Sequence, residues 1–144
     1  MNRKEKIIKT LLLGLGLVAV MFVYYKINTI GYVSSTSRRA IETTLFEVQE
    51  IESAMEVVEN TFKKDYSGCQ LIDLWYDETF SSTYAPEWAK QYEADEAIIL
   101  LSTFHTADTW VSEGLEPDKT YPQWQWILVR SGKTNNWELK TWGY

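Results

Sequence analysis

His105 and Asp108 are the residues whose types and spacing best suit acid–base chemistry. His105 is the single histidine of the 144-residue chain, and it ends an apolar run three positions before Asp108. An imidazole held by a carboxylate can act as a general base. No serine or cysteine nucleophile is tied to His105 by a motif, and one histidine with no second one beside it does not predict a metal site. We therefore keep His105 and Asp108 only as the catalytic alternative, and we predict neither a cofactor nor a metal.

Three carboxylates near the end of a strand-like run are the next candidates. Asp77 and Glu78 are adjacent, so on a strand they point to opposite faces and cannot act on one bond. Asp73 and Asp77 share a face but lie ~13 Å apart along an extended backbone, which exceeds the carboxyl separation of either class of glycosidase. Asp77 and Glu78 are better interpreted as ending the strand and capping the turn that follows.

Tryptophan is unusually frequent, with seven residues in the chain, all of them after position 74. Strand alternation places Trp124 and Trp126 on one face and Trp137 and Trp142 on opposite faces, so at least one ring is expected at the surface. We predict that a binding surface is formed by Trp75, Trp110, Trp124, Trp126 and Trp142. The simpler alternative is that these rings fill a thin two-layer core.

The elements that must position these residues begin with an apolar N-terminal segment. Residues 7–25 are apolar apart from Lys9 and Thr10, which approaches the length that a membrane span requires. Basic residues at positions 3, 4, 6 and 9 precede the unbroken apolar run 11–25, and only Lys26 follows it closely. This charge bias predicts a single-pass membrane anchor, with the N-terminus in the cytoplasm and the remainder outside. The lone cysteine favours a bacterial cell membrane, because eukaryotic secreted modules are commonly rich in disulfides. A cleaved signal peptide is the alternative, but residues 24–32 offer no small-residue cleavage site.

The predicted organisation has four parts: a cytoplasmic tail at 1–6, a transmembrane segment at 7–27, a linker at 28–43 and an extracytoplasmic domain at 44–144. After residue 31, nine basic and 19 acidic residues remain, so the net charge outside is near −10. This charge argues against a nucleic-acid partner, because phosphates require basic surfaces. The one cysteine, Cys69, cannot form an internal disulfide and is expected to be buried as a small hydrophobic residue.

Hydrophobic periodicity predicts a helix followed by strands. Thr44 and Glu47 have the spacing of a capping box, and the apolar stripe that follows is Val48, Ile51, Met55, Val58 and Phe62. Strands are predicted at 71–76, 97–104, 121–130 and 137–144, with a turn at 131–136. A short helix is predicted at 87–92, with Pro86 in its first turn.

This order predicts an α+β fold, in which the long amphipathic helix packs on a curved four-stranded antiparallel sheet and the short helix follows the first strand. The apolar strand 97–104 is expected at the centre of the sheet. A curved sheet around a helix commonly leaves a cavity at one end.

Residues from about 51 to 144 resemble an uncharacterised family of bacterial membrane-anchored and secreted ectodomains. The matching motifs are A-M-x-V-V-E-x-x-F at 54–62, G-C-x-L-x-x-L-W-Y-D-E at 68–78, W-A-x-Q-Y at 88–92, D-E-A-I at 95–98, Y-x-x-W-x-W-I-L-V-R at 121–130 and the closing W-G-Y. The resemblance implies a cone-shaped fold of the cystatin or nuclear-transport-factor kind. It implies no reaction, because a fold does not specify a function.

These observations predict an anchored extracytoplasmic domain that binds a protein or a small apolar ligand and has no evident catalytic activity. Three alternatives remain open: a module that binds glycans of the cell envelope, a scaffold subunit of a membrane assembly, and a small cone-fold enzyme that uses His105. The expected partners are the membrane, through 7–27, and a protein or an envelope glycan.

Overall fold

A computed structural model describes residues 2–39, 41–109, 111–132 and 136–144, with the side chains of 25–29 excepted. It contains three helices and five strands within those residues. In chain order they are α1 (Arg3–Thr29), β1 (Ser37–Arg38), α2 (Val48–Asp65), β2 (Cys69–Tyr76), α3 (Glu78–Gln91), β3 (Glu96–Thr106), β4 (Thr120–Arg130) and β5 (Glu138–Gly143). The strands form one sheet in the order β1-β2-β3-β4-β5, so the predicted α+β class is confirmed.

The sheet differs from the prediction in having five strands, and in being mixed. Strands β2 to β5 form the antiparallel meander that the sequence predicted, whereas β1 pairs with β2 in parallel. Strand β1 lies within the segment predicted as a linker, and Tyr32 from the same segment forms a further parallel bridge to Gln70. The segment contains no alternating pattern that would mark a strand. Its position is fixed instead by long-range contacts, including two hydrogen bonds of 2.9 Å from the Arg38 guanidinium to the Glu59 carboxylate.

Helix α2 packs across one face of the sheet through the predicted apolar stripe. Ile51, Met55, Val58 and Phe62 are fully buried, whereas Val48 is exposed, because it is the first residue of the helix and lies outside the packed turns. The predicted capping box at Thr44 and Glu47 is wrong by three residues. Glu47 is the N-cap, and its backbone N–H donates to Glu50 Oε2 at 2.7 Å.

Both faces of the sheet are covered, which explains why β3 has no polar face. Ile98 and Leu100 pack with the α2 stripe, whereas Ala97 and Ile99 pack against α3. Successive side chains of a strand point to opposite faces, so the part of a strand that is covered on both faces is typically a continuous apolar run, here 97–101. The prediction that this strand is central is confirmed.

Helix α3 is much longer than the helix predicted at 87–92. It begins at Glu78, and the Asp77 carboxylate caps it by accepting a hydrogen bond from the Phe80 N–H at 2.9 Å. Pro86 lies inside this helix rather than in its first turn. A proline has no N–H to offer the carbonyl one turn earlier, but Ser82 at that position is exposed to solvent, so the loss is tolerated.

Helix α1 contains a segment, Arg3–Tyr24, that is long and apolar enough to cross a membrane. Its apolar side chains are exposed along the described part of the helix. Gly31 follows closely after the helix end, and its N–H donates to the Lys63 carbonyl at 2.9 Å. A Cβ at position 31 would lie 2.1 Å from the Phe62 carbonyl oxygen, so the chain passes against α2 where only glycine fits.

Candidate functional site

Two exposed aromatic side chains lie together at the C-terminal end of the sheet, Trp142 within β5 and Tyr144 directly after it. Trp142 is 47% exposed and Tyr144 is 72% exposed. Both lie on the α2 side of the sheet, because Trp142 contacts Tyr66 at the end of α2 and Tyr144 contacts Trp124 on β4. We call this group of rings the aromatic face. Its members are Tyr66, Tyr121, Trp124, Trp142 and Tyr144, of which Tyr66 and Tyr121 are buried.

Ring contacts connect the aromatic face to the core. The centroid of Trp142 lies 6.4 Å from those of Tyr66 and Trp126, and that of Tyr144 lies 5.2 Å from that of Trp124. Trp126 is fully buried, and its indole N–H donates to Ser102 Oγ at 2.8 Å. The exposed rings are therefore backed by a packed aromatic layer and not by mobile side chains.

A local irregularity of β4 builds part of this face. Tyr121 and Trp124 are three residues apart, and in a regular strand they would point to opposite faces. The pairing of β3 with β4 shifts between Ser102 and Phe104, and Gln123 has a φ of 52°. This bulge places Tyr121 and Trp124 on the same side, where their centroids are 5.6 Å apart. A strict alternation rule could not have predicted the pair.

Tyr66 Oη and Trp124 Nε1 are buried polar atoms of the aromatic face that lie near each other, and neither makes a hydrogen bond of regular geometry among the described residues. Burial raises the pKa of the Tyr66 hydroxyl above its ordinary value, and the nearby Trp124 side chain opposes this effect. Tyr66 therefore stays protonated throughout the physiological pH range.

The five tryptophans predicted as a binding surface do not form one cluster. Trp124 and Trp142 lie on the aromatic face, and Trp126 lies beneath them in the core. Trp75 lies on β2 near the opposite end of the sheet, with the Arg39 guanidinium 3.8 Å from its ring centroid. Trp110 lies outside the described residues.

The predicted pairing of His105 with Asp108 is not observed. His105 Nδ1 lies 2.9 Å from Thr120 Oγ1, and its Nε2 lies 3.3 Å from Asp118 Oδ1. Asp118 belongs to the loop before β4 and its side chain is largely exposed. The imidazole therefore has an acidic neighbour, but in a solvated position. Within the described ranges, no group of three or more His, Cys, Asp or Glu residues is placed to hold a metal ion.

A cleft lies at the opposite end of the sheet from the aromatic face. Its volume is about 290 Å³, and it is bounded by α3, the start of β3, the end of β2 and the segment before α2. We call it the α3 cleft. The residues that line it are Leu45, Phe46, Tyr76, Ser81, Ser82, Ala85, Pro86, Ala89, Asp95, Glu96 and Ala97. One feature of the sequence could have indicated this cleft: Ala85 and Ala89 are four residues apart, so they share one face of a helix. The helix was predicted to begin at 87, which left Ala85 outside it.

The segment before α2 is held beside this cleft by Glu78. The Glu78 carboxylate accepts hydrogen bonds from Thr43 Oγ1 at 2.8 Å, and from the Thr44 N–H and hydroxyl at 2.7 Å each. The hydrogen bond from the Thr44 N–H contributes most to lowering the pKa of Glu78, to about 2. The sequence predicted that this carboxylate caps the turn after β2. In the structure it accepts hydrogen bonds from Thr43 and Thr44, in the segment before α2.

Comparisons with protein-family models, with curated proteins and with solved structures find no significant match to this chain. The resemblance to a family of cone-shaped ectodomains therefore stays a prediction, and the assignment of function depends on the chain's own geometry.

Proposed function

We propose that this chain is a single-pass, membrane-anchored domain held outside a bacterial cell, and that it binds a partner protein through the aromatic face. The proposed topology has the N-terminus in the cytoplasm. It follows from the apolar segment of α1 and the basic residues before it.

One observation carries the proposal of binding: Trp142 and Tyr144 are exposed on a rigid aromatic layer. Exposing large rings to water is unfavourable, and folded domains usually bury them. Tryptophan and tyrosine are enriched among the residues that contribute most to protein–protein binding, because a rigid ring buries a large area with little loss of entropy. Strand β5 is also an edge of the sheet described here, so its outer backbone groups are available to a partner.

A second candidate is binding of an envelope glycan by stacking on the same rings. The exposure of Trp142 beside Tyr144 favours this candidate, since sugars stack on aromatic side chains. A glycan-binding module is expected to expose tryptophan rings that are coplanar. Among the described tryptophans, Trp142 is the one classed as exposed, so a protein partner fits this surface better.

Site-specific photocrosslinking in intact cells tests the proposed interface. A photoreactive phenylalanine analogue at position 142 should give a discrete crosslinked protein species. The matched control is the same substitution at Tyr84, which is 52% exposed on α3 on the other face of the sheet. Equal products at both positions, or none at 142, would refute the interface.

Two further measurements separate the glycan candidate and test the topology. Acrylamide quenching of tryptophan fluorescence in the full chain in detergent micelles should lose a readily quenched component in Trp142→Phe. Protection of that component by purified wall fragments would favour the glycan.

A periplasmic or surface reporter enzyme fused after Tyr144 should be active, whereas the same reporter fused before Met1 should be inactive.

A further inference from the structure

Strand β5 is an edge of the sheet in the part of the chain that the structure describes, so its outer backbone N–H and C=O groups have no strand beside them there. Such an edge is a template for an added strand, although an edge lysine often prevents pairing. Here the Lys140 ammonium lies back over the domain, 2.6 Å from Glu138 Oε1 and 5.9 Å from the centroid of the Tyr92 ring. The edge is therefore open to another chain.

The side chains of β5 alternate between the two faces of the sheet with one interruption. Residues directly opposite each other in antiparallel strands share a face. Leu139 and Trp142 are paired with core residues of β4 on the α2 side. At the bulge Lys140 has no direct partner on β4, and its contact with Tyr92 places it on the α3 side. The β5 residues on the α3 side are Glu138, Lys140, Thr141 and Gly143.

Because of the bulge, the order of faces along β5 is the same in both directions. From Glu138 to Gly143 it is α3, α2, α3, α3, α2, α3. An uninterrupted strand of six residues would begin and end on opposite faces. The strand is therefore suited to antiparallel pairing with a second copy of itself, about a two-fold axis between its fourth-last and third-last residues.

This axis lies between Lys140 and Thr141, and it fixes which residues meet. Leu139 of one copy lies opposite Trp142 of the other, both on the α2 side. Lys140 lies opposite Thr141, both on the α3 side. An axis through Lys140 itself would set Leu139 opposite Thr141, which face different sides. The face pattern therefore selects one register.

The charges are compatible with this register. Glu138 would lie opposite Gly143 and Lys140 opposite Thr141, so no two like charges face each other directly. The two Lys140 side chains lie near the axis, but each ammonium is 2.6 Å from Glu138 of its own copy. Each strand therefore brings one balanced ion pair to the contact.

Trp142 gains a cross-strand neighbour in this arrangement. Its side chain is 47% exposed, with Tyr66 and Trp126 on its inner side. Leu139 of the second copy would lie directly opposite it, and the same pair forms again across the axis. Apolar and aromatic residues directly opposite each other stabilise antiparallel strands. The contact would cover the ring on which the proposed interface depends.

From these features we infer that the protein partner of the aromatic face is a second copy of this chain, joined through antiparallel pairing of the two β5 strands. The inference rests on the proposed function, because it names the partner at the same face.

A shared membrane favours this pairing. The two-fold axis is normal to the sheet, so α2 lies on the same side of the joined sheet in both copies. The chain passes against α2 at Gly31, directly after α1, so both anchors start from that side. Six paired residues are few beside the roughly 20–30 residues a side of a standard interface, so we expect the pairing to depend on the local concentration that one membrane provides.

Thr141→Cys tests the register by disulfide formation in membranes that contain the full chain. The two Cα atoms of position 141 would lie roughly 6 Å apart across the axis, which a disulfide can bridge. Glu138→Cys is the matched control on the same face of β5, because its two Cα atoms would lie roughly 17 Å apart. The native Cys69 is buried, so the wild type should not be linked.

Mild oxidation of a tagged and an untagged Thr141→Cys chain in the same membrane should give the mixed dimer. Glu138→Cys should stay monomeric under the same conditions. No disulfide in Thr141→Cys, or equal yields at the two positions, would overturn the inference.

Lys140→Glu, made in the Thr141→Cys protein, tests the charges at the axis. It leaves four carboxylates and no ammonium there, and like charges across a strand pair oppose pairing, so disulfide formation should slow by roughly 2- to 30-fold. Adding Glu138→Lys restores one ion pair in each copy and should restore the rate. An unchanged rate in Lys140→Glu, or no recovery in a double variant that keeps the wild-type circular dichroism spectrum, would contradict the pairing.

The outcomes separate this inference from the proposed function. A photocrosslink from position 142 to a different protein, with no disulfide in Thr141→Cys, would leave the interface standing and refute the second copy. Absence of both products would refute both.

Discussion

Arg130 is the one charged residue classed as buried among those that the structure describes, and its side chain is 2% exposed. Arg130 Nη1 lies 2.7 Å from Glu50 Oε1 on α2, and Arg130 Nη2 lies 2.6 Å from Glu96 Oε2 on β3. The guanidinium also stacks on Trp137, with its central carbon 4.4 Å from the ring centroid. The planar guanidinium can serve two carboxylates and a ring together, which an ammonium cannot. One residue therefore joins α2, β3 and β4 at the end of the sheet that holds the α3 cleft.

Arg130→Met should lower the free energy of unfolding by about 3 kcal/mol. Removing one member of a buried ion pair usually costs ~3–5 kcal/mol, and the lower end applies because Glu50 and Glu96 keep partial contact with water. Urea unfolding followed by tryptophan fluorescence measures the loss. Arg39→Met is the control, since the exposed Arg39–Asp73 pair should contribute only ~0.2–1 kcal/mol. Equal losses in the two variants would contradict this role of Arg130.

Gly31→Ala tests the close approach of the chain to α2. The added methyl group would lie 2.1 Å from the Phe62 carbonyl oxygen, so the backbone must move and the hydrogen bond to Lys63 is strained. We expect a loss of about 1–3 kcal/mol, the usual range for overpacking. The thermal unfolding midpoint measures it.

Gly14→Ala is the comparison for that experiment, because no described atom lies within 4 Å of the Cβ position there. An unfolding midpoint that falls as much for position 14 as for position 31 would show that the effect does not arise from contact with α2.

Glu78 connects the start of α3 to the segment that leads into α2. Its pKa is lowered to about 2 by hydrogen bonds from Thr44 and Thr43. Because the folded pKa lies below the ordinary glutamate value of ~4.3, these bonds stabilise the fold fully above that value and the contribution is lost as pH falls toward 2.

Glu78→Gln should therefore reduce the acid sensitivity of the fold between about pH 4.5 and pH 2. The variant is expected to be less stable than the wild type at pH 7, and the difference should shrink as the pH falls through this window. Urea midpoints at a series of pH values measure both effects. Glu87→Gln removes the same charge from the exposed surface of α3 and serves as the control. A difference between wild type and Glu78→Gln that is constant with pH would refute the linkage.

The elements with a strong periodic pattern were predictable, and those fixed by remote contacts were not. The α2 stripe from Ile51 to Phe62 and the apolar run of β3 are both where the sequence placed them. The start of α3 was missed because Pro86 was interpreted as a helix start, whereas the Asp77 cap determines the start nine residues earlier. Strand β1 has two residues and no pattern, so nothing local could reveal it.

The same contrast applies to the two candidate sites. Alternation predicted that Trp137 and Trp142 point to opposite faces and that at least one ring is exposed, but it could not say which one. The α3 cleft brings together Phe46, Tyr76 and Ala97, which lie far apart in the chain, so its existence depends on tertiary packing alone.

The residues directly after α1 are hydrogen-bonded to the folded domain. The Tyr32 N–H donates to the Cys69 carbonyl at 2.8 Å, and the Leu71 N–H donates to the Tyr32 carbonyl at 2.9 Å. A Ser/Thr-rich composition suggested a flexible tether here, but the backbone of these residues is hydrogen-bonded to the domain. The folded domain is therefore joined to the apolar helix by very little free chain.

Hydrogen exchange on the full chain in micelles checks this arrangement. We expect the amides of Gly31 and Tyr32 to be protected to a degree comparable with β2, whereas those of Ser34 and Ser35, exposed in a turn, should exchange rapidly. Rapid exchange at all four positions would show that the segment behaves as a free linker.

The parallel pairing of this segment with β2 has a mechanical consequence. A force applied to the apolar helix would enter the domain at Gly31 and run along the direction of β2. Hydrogen bonds between parallel segments pulled in this way are loaded together in shear and do not open one after another. A pull on the apolar helix is then shared between the bond to Lys63 and the bonds to Cys69 and Leu71 before it reaches the aromatic core.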